Sequence, residues 1–126
     1  MSAFDAFDLY NILFLDIETV PVSAEFESLS EDMQELWGVK CRSLLKRPET
    51  EIEYDEMAEL FSERAGIYAE FGRIICISVG FLTKGVDGEK PIMRVKSFAN
   101  TIEASLLEDF SELLAKHFNN SDRFAM

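Results

Sequence analysis

Ile12-Leu13-Phe14-Leu15-Asp16-Ile17-Glu18-Thr19-Val20-Pro21 is the stretch on which the reading of this chain turns. The apolar run from Tyr10 to Ile17 has the pattern of a strand covered on both faces, as at the centre of a layered sheet. Asp16 and Glu18 then emerge at its C-terminal end, and Pro21 cannot continue a central ladder. Residues i and i+2 of a strand share a face and lie roughly 6.5–7 Å apart, which suits ligands for two divalent ions about 4 Å apart. Spacing alone does not single them out. Glu25/Glu27, Glu49/Glu51, Glu51/Glu53, Glu53/Asp55 and Asp87/Glu89 repeat it in polar, turn-prone or helix-prone surroundings. The plain alternative is that Asp16 and Glu18 mark the solvated end of a strand.

Moving outward, Ser30 followed by Glu31 and Asp32 reads as a helix cap with first-turn acids, opening a short helix through Met33, Leu36 and Trp37 that ends near Gly38. Pro48 and Glu49-Thr50-Glu51-Ile52-Glu53 read as a loop. Helical spacing resumes from Asp55 to Ala65, with Gly66 as its stop. Arg73 to Leu82 is a second strand. Pro91 to Phe98 is a third, alternating Ile92, Arg94, Lys96 and Phe98 against Met93, Val95 and Ser97. The connection from Lys84 to Lys90 carries Asp87-Gly88 and reads as a hairpin. Asn100 is expected to cap a long helix with Glu103 as capping-box partner, and Leu106, Leu107, Phe110, Leu113, Leu114 and Phe118 form a stripe meant to lie on a sheet. Phe124-Ala125-Met126 reads as the start of a further strand, which makes the long helix a crossover connection. The order gives an α/β layer structure with a mixed sheet and a helical insertion, about residues 23–66, after the first strand.

Length and composition set the remaining bounds. With 126 residues and 48% hydrophobic content, a single domain over 1–126 is expected. No apolar stretch approaches the ~20 residues of a membrane helix, and Met1-Ser2-Ala3-Phe4-Asp5 lacks the basic start of a secretory signal. A soluble, cytoplasmic protein with no membrane partner follows, and Cys41 and Cys76, without metal-ligand spacing, read as reduced thiols. The formal charge of −12 argues against holding nucleic acid mainly by a basic surface. It leaves room for an enzyme whose divalent ions face the phosphate. Ser23 to Glu63 holds 12 acids against the four bases Lys40, Arg42, Lys46 and Arg47, a charged excursion whose simplest reading is a solvated face.

With these residues the chain resembles the 3'-5' exonucleases that carry a four-carboxylate signature on the ribonuclease H-like fold. The resemblance is closest to the proofreading-exonuclease-like group related to family B DNA polymerases. Ile12 to Pro21 looks like the family's first motif, and Phe71-Gly72-Arg73-Ile74-Ile75-Cys76-Ile77-Ser78-Val79-Gly80 looks like its second strand with a Phe-Gly lead-in. The resemblance implies that Asp16 bridges two Mg2+ or Mn2+ ions, that Glu18 binds one of them, and that backbone groups at Ile17 and Thr19 hold the terminal nucleotide. Such ions would activate the attacking water and stabilise the leaving 3'-oxygen of a single-stranded end, DNA by the resemblance.

The family's second and third motifs would fall beyond Met126. Asp109, within the long helix, and Asp122, ahead of the last strand, do not replace them. The resemblance thus implies a C-terminally truncated, N-terminal piece of the domain that binds metal weakly and cleaves little or nothing. Its incomplete cover makes a homodimer an expectation. The competing expectation is a non-catalytic ribonuclease H-like module for interaction or scaffolding.

Other candidates weigh less. His117 sits near the end of the long helix, where an imidazole favourably meets the helix C-terminus. The run Lys40 to Arg47 could follow a phosphate backbone or pair with the surrounding glutamates. Trp37 and the phenylalanines could stack bases but fit core positions better. No glycine-rich phosphate loop is present.

Overall fold

The computed structural model describes residues 8–88, 90–118 and 124–125, apart from the side chains of Asp87, Phe124 and Ala125. Glu89, Asp122 and Met126, which entered the sequence reading, lie outside the described residues. The architecture is mixed α/β: strands β1 (Ile12–Pro21), β2 (Gly72–Thr83), β3 (Ile92–Ala99) and β4 (Phe124–Ala125), with helices α1 (Glu31–Leu45), α2 (Tyr54–Arg64) and α3 (Glu103–His117). The sheet order is β3-β2-β1-β4. β2 and β3 run antiparallel with Ile77 opposite Phe98, and β4 joins parallel to β1 through Ile12↔Phe124 and Leu13↔Ala125. The chain packs as two compact units. One is the N-terminal segment through Glu18 together with the chain from Ile74 onward, and the other is Thr19–Arg73.

The first unit is a sheet under one helix. Leu13, Ile77, Val79, Phe98 and Leu106 form its buried core, with Leu15, Phe81, Phe110, Leu113, Leu114 and Phe118 packed against them. The stripe expected on the long helix therefore meets the sheet, although Leu107 stays 38% exposed. The hairpin between β2 and β3 turns at Val86–Gly88, and Gly88 holds φ +78°, a conformation that a side chain disfavours.

The second unit is built on aromatic packing. The Trp37 ring meets Phe61 at 5.3 Å and Phe71 at 5.0 Å, both edge-on, and its Nε1–H donates to the Met57 carbonyl at 2.9 Å. Ser30 caps α1 as expected, its hydroxyl accepting the Met33 N–H. Gly66 approaches the backbone so closely that an added Cβ would stand 3.1 Å from the Val20 carbonyl carbon.

Several expectations are corrected. The first strand begins at Ile12, because the Asp8 carboxylate accepts the Tyr10 N–H and winds Leu9–Asn11 into a 3-10 turn. It continues to Pro21, so Asp16 and Glu18 lie in mid-strand, and Pro21 occupies the final position, where the ring does least harm. Cover on both faces holds only for Ile12 and Leu13, because Phe14 and Ile17 are 38% and 43% exposed. α1 does not stop at Gly38 but runs to Leu45, where Lys46 turns left-handed at φ 54°. Gly38 is buried under the Glu49 side chain, so its missing Cβ serves packing inside the helix. Glu49–Glu51 is a 3-10 turn within the expected loop. Asn100 does not cap α3. Its side chain accepts the Ile102 N–H, Ile102 takes the cap position, and the Glu103 carboxylate is drawn to the Ile74 N–H.

Candidate functional site

Asp16 and Glu18 sit on β1, the strand flanked by β2 and β4, and both are exposed. Leu13 and Leu15 belong to the core packed under α3. Strand alternation then turns Phe14, Asp16 and Glu18 to the opposite face of the sheet. The two carboxylates thus share a face and a spacing suited to hard cations. Among the described residues, neither accepts a hydrogen bond nor pairs with a cation. No group of three or more His, Cys, Asp or Glu side chains gathers around a common point among the described residues. The donors fit Mg2+ or Mn2+ in kind but not in number, since either ion completes its shell with further oxygens.

Ile17 and Thr19 alternate with the acids, so their side chains leave the strand on the other face. Ile17 is 43% exposed. The Thr19 hydroxyl donates to the Gly66 carbonyl at 2.6 Å, which commits that side chain to packing within the Thr19–Arg73 unit.

The remaining candidates separate cleanly. Lys40 pairs with Glu70 at 3.6 Å and lies 4.2 Å over the Tyr68 ring, and Arg47 pairs with Glu56. Two of the four bases in that run are thus engaged within their own unit. Trp37 is fully buried, a core residue and not a stacking platform. Asp109 is exposed on α3, and His117 occupies its last turn. Cys41 is buried and Cys76 half-buried, both as free thiols.

The structure also gathers a set that the sequence reading did not assemble. Tyr10, Lys84, Arg94 and His117 come from four separate segments and meet at one cavity. The only prior signal was basic residues at Arg94 and Lys96, in register with core-facing Phe98. No helix among the described residues is long and apolar enough to cross a membrane. Comparison with protein-family models, curated proteins and solved structures found no match.

Proposed function

We propose that Asp16 and Glu18 are two ligands of a divalent-metal centre in a 3'-5' exonuclease of the ribonuclease H-like fold, acting on single-stranded DNA ends. The observation that carries this reading is the pair itself: two exposed carboxylates, unpaired among the described residues, at i and i+2 on one face of β1. The mixed sheet, with β2 and β3 antiparallel and β4 parallel to β1, supports it as the mixed α/β arrangement expected from the sequence.

Within such a centre Asp16 and Glu18 would supply hard anionic oxygens as ligands to the ions. Divalent ions bound there would contribute charge neutralisation and an acidified water. In this reading the backbone at Ile17 would position the terminal nucleotide. At Thr19 the hydroxyl proton is already donated to the Gly66 carbonyl, which leaves the backbone and the hydroxyl lone pairs.

A second reading, a non-catalytic ribonuclease H-like module, draws support from the charge of −12 and from the acidic run between Ser23 and Glu63. A 5'-labelled single strand incubated with the protein and Mg2+ or Mn2+ separates the two. Products shortening from the 3' end, lost in Asp16→Ala, are expected for the exonuclease. A strand left intact assigns the fold to the non-catalytic role.

A further inference from the structure

A cavity of about 520 Å³ opens beside the N-terminal end of β1, lined by the rings of Tyr10, Phe81 and Phe118 and by the basic side chains of Lys84, Arg94 and His117. The chain carries a formal charge of −12, yet no carboxylate among the described residues lines this cavity. Its volume falls within the ~300–1,000 Å³ typical of small-molecule sites.

The fold builds it from specific register. Arg94 lies directly opposite Phe81 in the β2–β3 ladder, so both side chains leave the sheet on one face. The Phe81 ring stands 6.4 Å from Phe118, just past the end of α3, at an interplanar angle of 73°. Lys84 holds its ammonium 5.7 Å over the Tyr10 ring. Among the described residues neither Lys84 nor Arg94 forms an ion pair. Rings that accept a flat apolar group, next to cations that accept an anion, select a ligand carrying both.

We propose that this cavity binds a nucleoside monophosphate, its base against the rings of Tyr10 and Phe118 and its phosphate on Lys84 and Arg94. A guanidinium offers a phosphate two parallel N–H donors, while an ammonium acts as a point charge beside it. Asp16 lies four residues along β1 from Ile12, roughly 13 Å at the rise of a strand. The cavity is thus a second place, and the assignment stands or falls independently of the carboxylate pair.

Titration of the 126-residue chain, followed by amide NMR, tests it with AMP, adenosine and inorganic phosphate as probes. AMP is expected to give saturable shifts at Tyr10, Lys84 and Arg94, with adenosine and phosphate each binding at least about tenfold more weakly. The double variant Lys84→Gln/Arg94→Gln changes only exposed side chains. It should keep the remaining spectrum and weaken AMP at least about tenfold, whereas Asp16→Ala should leave AMP binding unchanged. Absence of saturable shifts, equal binding of phosphate alone, or unchanged affinity in the double variant overturns the proposal. So does a single-stranded hexathymidylate that binds here about tenfold tighter than AMP, because the site would then be a strand groove.

Discussion

The Glu103 carboxylate accepts the backbone N–H of Ile74 at 2.5 Å, tying the first turn of α3 to β2 across 29 residues of sequence. A bond from a charged acceptor to a half-buried amide is worth about 1.5–3 kcal/mol, and removing the acceptor leaves the N–H unsatisfied. Glu103→Ala is therefore expected to lower stability by about 1–3 kcal/mol, read as a shift of the urea midpoint, and Glu103→Gln by less. Equal stability of Glu103→Ala and the parent chain would remove this bond from the account.

Trp37 anchors the second unit through both packing and a hydrogen bond, so its truncation opens a large cavity. Trp37→Ala should cost about 3–5 kcal/mol. Trp37→Phe, which keeps a ring but loses the donor to the Met57 carbonyl, should cost less but leave that contact unmade. Denaturant melts followed by circular dichroism measure both.

Two glycines with similar surroundings on paper should respond in opposite ways. A Cβ at Gly72 would fall 2.5 Å from the Gly66 carbonyl oxygen, and backbone cannot yield, so Gly72→Ala is expected to destabilise by more than about 2 kcal/mol. At Gly38 the contact, also 2.5 Å, is with the end of the Glu49 side chain, which can swing away. Gly38→Ala then recovers helix propensity of up to about 1 kcal/mol, so its thermal midpoint should hold or rise.

Burial first, then the charges of Glu56 and Glu49, raise the Cys41 thiol from 9.0 to about 11. The folded state therefore keeps the proton longer than the unfolded chain does. The stability this contributes is complete below the ordinary value of 9.0 and is lost as pH rises through about 11. Urea midpoints of the parent chain should fall more steeply across that window than those of Cys41→Ala. A thiol reagent near neutral pH should label Cys76 well before Cys41.

What the sequence disclosed follows the range of the forces involved. β2, β3 and their hairpin were readable because Ile- and Val-rich runs flank an Asp87-Gly88 turn, all local signals. The Ser30 cap was readable for the same reason. Gly38 misled because a breaker and a close-packed helical glycine look alike until Glu49 is seen lying over it. The capping box misled because Glu103 had a better partner in Ile74, remote in sequence. The carboxylate pair was visible through strand alternation alone, whereas the ring-lined cavity was not, since its side chains converge only once β2, β3 and α3 are assembled.

The central claim is that Asp16 and Glu18 hold a divalent ion, and Mn2+ binding to the chain, followed by electron paramagnetic resonance, tests it most directly. Weak but saturable binding is expected, lost in Asp16→Ala and reduced in Glu18→Ala, while Asp109→Ala binds as the parent does. Mn2+ uptake that is unsaturable, or identical in Asp16→Ala and the parent chain, would contradict the account.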